Sequence, residues 1–230
     1  MQILPLYDTH FGSQECNEKL LIKTVDYIRR HSKCYTFLGG DIIECVIPGS
    51  KGSVHKQKRQ IQEQVDKIVE ILKPIKNKIL FSICGNHEYR VEVATGLNVS
   101  KMIADLLGVE YAGFEKHFLF SGKRCYAHHG TGGGGTAGAK VNSAERLHFR
   151  SPFAEIIFSG HCHFPFISEK EIRYLSVKGN LRNFIQTFVS CGSAHASDGY
   201  ASMKGLTPLP MSMMLVDIIE GGIEVRKIRI

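Results

Sequence analysis

Ile79-Leu80-Phe81-Ser82-Ile83-Cys84-Gly85-Asn86-His87-Glu88 begins as an apolar strand and ends in a glycine followed by an amide, an imidazole and a carboxylate. The same arrangement recurs along the chain. Gln2 to Tyr7 reads as a strand leading into Asp8-Thr9-His10, and Tyr35 to Leu38 leads into Gly39-Gly40-Asp41. Arg124 to His128 leads into His129-Gly130, and Ile156 to Ser159 into Gly160-His161-Cys162-His163. Short apolar runs bounded by glycine are strand signals. Side chains placed just after such strands converge on one edge of a sheet, where α/β folds set their sites.

Between these runs the spacing turns helical. From Asn17 onward Leu21, Val25 and Ile28 share a face, with Arg29 and Arg30 in the last turn, where cations suit the helix dipole. Ile61, Val65, Ile68, Val69 and Leu72 mark a second helix, stopped by Pro74. Further helices are expected near Val99 to Leu107 and over Lys140 to Phe149. His117 to Ser121 should pair with Arg124 to His128 through a glycine turn. Later strands are expected at Phe184 to Ser190, Met213 to Ile219 and Ile223 to Ile230, the last two joined at Gly221-Gly222. The expected architecture is α/β: two packed β-sheets flanked by helices, in a single domain spanning residues 1–230. Pro5 sits badly inside the first strand because it lacks an N–H, so a bulge or a shortened ladder is expected there.

The totals are ordinary for a folded chain. It has 230 residues, 43% hydrophobic and 22% charged, which argues against global disorder. No apolar stretch is long enough to cross a bilayer, and the N-terminal residues lack a secretory pattern. The seven cysteines form no C-x-x-C pair and read as reduced, buried thiols, so a cytoplasmic setting is expected. The net charge of +7 suits an anionic partner.

Carboxylates, imidazoles and one amide suit a borderline divalent ion such as Mn, Fe or Zn. The seven plausible ligands are too many for one ion, whereas two ions sharing a carboxylate would use them all. Adjacent His128 and His129 point to opposite faces of an extended segment, so only one of them should be a ligand. Taken in order, D-x-H, G-D, G-N-H-E, H-G and G-H-x-H resemble the signature of the calcineurin-like metallophosphoesterases, and they span Asp8 to His163. The resemblance implies a double β-sandwich and a dinuclear centre, with Mn2+ expected and Fe, Zn or Mg as alternatives. It implies that Asp8, His10 and His163 hold one ion, that Asn86, His129 and His161 hold the other, and that Asp41 bridges them. It favours His129 over His128 and gives His87 the catalytic histidine position. In the implied reaction, two cations lower the pKa of a shared water, and the hydroxide so formed attacks phosphorus. Glu88 is expected to orient His87 or to open the following helix. Cys162 should point away from its two histidine neighbours.

The substrate is read from weaker features. Gly40-Asp41 continues as Ile42-Ile43-Glu44-Cys45, without the Asp-Arg-Gly that follows in serine/threonine protein phosphatases. No acidic residue lies between Glu44 and Glu63, while Lys51, Lys56, Lys58 and Arg59 do, which suits a polyanion such as DNA or RNA. Gly132 to Gly135, within a glycine tract from Gly130 to Gly138, could admit a bulky substrate or act as a flap. The segments Gly192 to Tyr200 and Lys204 to Pro210 resemble small phage- and prophage-borne members, which implies a bacterial or phage-encoded enzyme. The expected activity is phosphodiester hydrolysis on nucleic acid. A small-molecule phosphomonoesterase or cyclic-nucleotide phosphodiesterase is the alternative, and a non-catalytic binding module is a third reading.

Overall fold

A computed structural model describes residues 1–50, 54–132, 136–196, 211–220 and 222–228. In chain order the elements are β1 (Gln2–Ile3), α1 (Glu18–Arg30), β2 (Cys34–Leu38), α2 (Ile61–Leu72), β3 (Ile79–Ser82), α3 (Asn86–Thr95), α4 (Val99–Leu107), β4 (Glu115–Phe120), β5 (Lys123–His128), α5 (Ala137–Arg150), β6 (Ile156–Ser159), β7 (Phe166–Leu175), β8 (Leu181–Ser190), β9 (Met213–Ile219) and β10 (Gly222–Ile228). Among the described residues they build two five-stranded sheets, ordered β10-β9-β1-β2-β3 and β4-β5-β6-β8-β7. Each sheet holds a parallel trio, β1-β2-β3 in one and β5-β6-β8 in the other. Antiparallel strands complete both.

An aromatic cluster is part of the buried core shared by strands of both sheets. Phe37 of β2 stacks on Phe81 of β3 at 4.8 Å and meets Phe158 of β6 edge-on at 5.3 Å. Leu21, Val25 and Ile28 of α1 join Val65, Ile68 and Leu72 of α2 in a second apolar layer on the first sheet. Leu147 of α5 packs with Tyr126, Ile157 and Phe188 of the second sheet. Strands with both faces buried read as continuous apolar runs, and that is why the inner strands were recognisable.

Helix limits follow local chemistry. Asn17 caps α1 by accepting the Leu20 N–H at 3.0 Å. Pro74 lies in the first turn of a 3₁₀ segment, Lys73–Lys78, that ends α2. Ser121 and Gly122, both at positive φ, make the turn between β4 and β5. At Pro5 the ladder is shortened on the β9 side, where pairing ends at Ile3, while hydrogen bonds to β2 continue from Leu4 and Leu6. The N–H groups of Gln2, Leu4 and Leu6 all point to β2. Pro5 therefore faces the β9 side, where no donor is needed once that ladder ends at Ile3.

Two elements were not anticipated. α3 begins at Asn86 itself and has only a weak apolar face, and β7 carries Glu169, Lys170, Glu171 and Arg173 within a half-exposed alternation. Lys51, Gly133 to Gly135, the segment 197–210 and Gly221 lie outside the described residues, as does the side chain of Lys56. No helix among the described residues is long and apolar enough to cross a membrane.

Candidate metal centre

The loops that follow the parallel strands all open on the same edge of the sandwich. Asp8 and His10 follow β1, Asp41 follows β2, and Asn86 follows β3. From the other sheet, His129 follows β5, and His161 and His163 follow β6. Asp8, His10, Asp41, His161 and His163 have φ between 45° and 64°, so five candidate ligands occupy the left-handed region. Each such residue costs of order 1–3 kcal/mol and persists only where its surroundings over-determine it.

Those surroundings are visible. The buried Glu88 carboxylate accepts the backbone N–H groups of Asp41 (2.9 Å), Ile42 (2.7 Å), Ile43 (3.1 Å) and Gly85 (3.2 Å). It sits in the first turn of α3 and also clamps the Asp41 loop. Gly85 permits this approach, because a Cβ there would lie 2.1 Å from the Asp41 nitrogen. Asp8 Oδ2 accepts the His161 N–H at 2.7 Å, and Gly160 leaves room for it, since a Cβ there would sit 2.5 Å from that oxygen. Tyr7 Oη lies 3.2 Å from the His128 carbonyl and 3.3 Å from that of Phe158, bracing the first sheet against the second.

Three groups of ligand atoms each lie within 4.8 Å of one another: Asp8, His10 and His163; Asp41, His129 and His161; and His10, Asp41 and His87. His163 Nε2 is 3.5 Å from Asp8 Oδ1 and 3.1 Å from His10 Nε2. His129 Nε2 is 3.2 Å from Asp41 Oδ2 and 3.1 Å from Asn86 Oδ1. The structure thus brings all seven predicted ligands together. His128 stays outside, its Nδ1 accepting the Gly130 N–H. Cys162 turns away to Ser190, with Sγ 3.2 Å from its Oγ.

The electrostatics favour a cation. Asp8 Oδ1 is buried without a hydrogen-bond partner, an expensive state for a carboxylate oxygen unless a cation faces it. Burial would raise both aspartate pKa values, but the neighbouring imidazoles, His163 beside Asp8 and His129 beside Asp41, hold them below the usual range. Burial pushes His10 and His87 down to about 4. Burial also opposes the charged form of His129, but Asp41 outweighs it and lifts the group to about 10. Oxygen and imidazole donors around an orphaned carboxylate fit a divalent ion.

Several neighbours of the site escaped the sequence reading. Glu44 Oε2 accepts from His10 Nδ1 at 2.8 Å, the carboxylate–histidine contact that orients metal-binding imidazoles. Arg90 reaches His87 from the next turn of α3. His195 packs on His10 with ring centroids 4.7 Å apart, and its Nε2 lies 3.1 Å from Ser13 Oγ. Ser193 Oγ donates to the Asp8 carbonyl at 2.7 Å. None belongs to a motif, although Glu44 and Arg90 lie within three residues of Asp41 and His87. Of the basic segment, Lys58 donates its backbone N–H to Gly12 at 2.8 Å, two residues past His10. The Arg59 guanidinium forms a two-pronged pair with Glu18, at 2.7 and 3.2 Å, and covers the Phe11 ring.

The sequence matches no family model and no curated protein. Solved structures do resemble it. An archaeal phosphodiesterase superposes with a TM-score of 0.53 at 12% identity, covering 99% of this chain and 100% of that one. Vps29 from Chaetomium thermophilum gives 0.50 at 10% identity, over 99% and 97% of the two chains. A metallophosphoesterase from Sphaerobacter thermophilus gives 0.46 at 11% identity, over 100% and 88%. At such identities the likeness is one of fold, and the fold of this chain is the metallophosphoesterase double sandwich that its motifs led one to expect.

Proposed function

We propose that the chain is a metal-dependent phosphodiesterase with a two-ion centre, acting on nucleic acid. The observation that carries this reading is Asp41, whose carboxylate is grouped with His129 and His161 on one side and with His10 and His87 on the other. On this reading Asp8, His10 and His163 hold one ion, Asn86, His129 and His161 hold the other, and Asp41 joins them. When bound, two divalent cations, Mn2+ first among Mn, Fe, Zn and Mg, would supply the Lewis acidity that activates water and neutralises phosphoryl charge. The Asp41 loop, clamped by Glu88, sets its carboxylate between His129 (3.2 Å) and His10 (3.9 Å). His87 Nε2 faces this centre, 4.0 Å from Asp41 Oδ2, and is positioned to donate a proton to the leaving oxygen or to steady the charge that develops there. The shared fold of the archaeal phosphodiesterase supports the diesterase reading.

The nucleic-acid substrate is supported by the net charge of +7 and by the acid-free stretch beside the first ligand loop. One observation favours small phosphoesters instead: Arg59 is paired with Glu18, which removes a cation from that stretch. Rates on single-stranded DNA, duplex DNA, RNA, cyclic nucleotides, aryl phosphodiesters and monoesters, each with Mn2+, separate the readings. Cleavage of oligonucleotides upholds the first. Turnover confined to cyclic nucleotides or monoesters replaces it with the second. No turnover on any substrate with any of the four metals defeats both.

A further inference from the structure

Arg90 stands three residues after His87 on α3, so the two side chains share a helix face. Its guanidinium is largely buried and reaches into the loop after Asp41. Nε donates to the Cys45 carbonyl at 2.8 Å, and Nη2 donates to the Glu44 carbonyl. The same Nη2 lies 2.7 Å from His87 Nδ1. The Glu44 carboxylate is 3.8 Å away, which keeps the cation compensated.

Read as a hydrogen bond, the contact between Arg90 and His87 fixes where the proton lies. A guanidinium only donates, so the nitrogen it meets on His87 must offer a lone pair. Nη2 carries two hydrogens, one for the Glu44 carbonyl and one for Nδ1. The Glu44 carbonyl itself lies 2.8 Å from His87 Nδ1 and would accept a proton from that nitrogen if Arg90 were absent. Two acceptors face each other, and the arginine supplies a donor to each. The proton of a neutral His87 is thereby sent to Nε2, the nitrogen on the side of Asp41.

We propose that Arg90 is a positioning residue that fixes His87 in its Nε2–H tautomer and so presents a donor, rather than a lone pair, to the reacting phosphoester. The statement about the substrate rests on the phosphoesterase reading; the statement about the tautomer does not. Arg90 also pins the carbonyl of Cys45, a residue at φ 50°, and so holds the shape of the loop that His87 leans on.

The decisive measurement is the tautomer of His87 in the ¹⁵N-labelled full-length chain, read from two-bond ¹H–¹⁵N correlations with Zn2+ added as a diamagnetic ion. The wild-type chain should show a protonated Nε2 and a bare Nδ1. In Arg90→Met the pattern should reverse, because Nδ1–H can then donate to the Glu44 carbonyl. Arg90→Lys, which keeps a donor, should restore the wild-type pattern in part. In kinetics, Arg90→Met should lower kcat about 10-fold or more with little change in KM, and more for esters with poor leaving groups. A wild-type His87 protonated at Nδ1, or an Arg90→Met chain that keeps Nε2–H, overturns the proposal. The wild-type spectrum decides even if the methionine variant fails to fold. Failure to hydrolyse any phosphoester would remove the catalytic consequence and leave the tautomer result standing.

Discussion

The two sheets meet at one site but bring different things to it. The first sheet supplies both carboxylates, the amide and one imidazole: Asp8, Asp41, Asn86 and His10. The second supplies imidazoles alone: His129, His161 and His163. Asp8, Asp41 and His10 of the first set are buried and Asn86 is exposed; of the second set His129 is buried, whereas His161 and His163 are half-buried at the rim with His87. The first set is held by a dense backbone network, with Glu88 accepting four N–H groups and the Asp8 and His10 N–H groups bonding to Gly40 and Asp41 carbonyls. The second set leans on the first, since the His161 N–H is anchored by Asp8 Oδ2. The difference is one of physical necessity. A buried carboxylate must be over-constrained or it costs stability, while half-buried imidazoles tolerate a looser, wetter rim where a substrate can enter.

The difference should break most completely at Asp41. Asp41→Asn keeps the shape but removes a full charge that, on the two-ion reading proposed above, serves both sites. We expect metal-dependent hydrolysis to be abolished and affinity for both ions to fall by more than about 100-fold. Metal content of the purified variant is the check; two ions per chain with normal turnover would refute the shared role. His87→Ala tests the rim instead. It should keep its metals and lose about 10²–10⁴ in rate, less for a nitrophenyl ester than for a poor leaving group. Loss of metal in this variant would show that His87 is a ligand.

Glu88→Gln sharpens the comparison within the buried half. The amide oxygen can still accept N–H groups, but the new NH₂ must face donors from Asp41 and Gly85 or from Ile42 and Ile43. Buried donors left unpaired cost about 1–3 kcal/mol each, so a loss of about 2–4 kcal/mol is expected in denaturant unfolding. Weaker metal binding should accompany it, because the strained Asp41 loop loses its clamp. A second buried polar change, Ser193→Ala, removes the hydroxyl that donates to the Asp8 carbonyl and accepts the His195 N–H, and should cost about 1–3 kcal/mol.

These contrasts also explain what could be read from the chain before its structure. The ligand loops were legible because glycine, Asp and His recur just after strands whose two buried faces make them apolar throughout. α3 was not, because its buried face amounts to Glu88 and Val91, with the rest polar or half-exposed. β7 was not, because an edge strand half in water carries charges that blur its alternation. Glu44, Arg90 and His195 were missed for another reason. Their roles depend on which nitrogen or carbonyl they meet, and spacing in the chain carries no record of that. The expectation of a uniform basic patch overlooked the same thing at Arg59, whose partner Glu18 is 41 positions away.

That last point yields the smallest effect and separates two neighbouring cations. Lys58 is the more exposed of the two; its Nζ reaches Glu18 only at 4.0 Å, against 2.7 Å for Arg59, and its backbone is anchored at the Gly12 carbonyl, close to the first ligand loop. If nucleic acid is the substrate, Lys58→Ala should raise KM for an oligonucleotide and reduce the slope of log affinity against log salt by about 1, with kcat unchanged. A small aryl phosphodiester should be indifferent to it. Arg59→Ala should behave in the opposite way. Its guanidinium is held by Glu18 and lies over Phe11, so its loss should cost about 1 kcal/mol of stability and leave the salt slope alone. Binding to a fluorescent oligonucleotide at several salt concentrations, beside urea unfolding of both variants, tests the pair. A salt slope that falls with Arg59→Ala and not with Lys58→Ala would mean that the Glu18 pair opens to the substrate, and the division drawn between the two residues would be reversed.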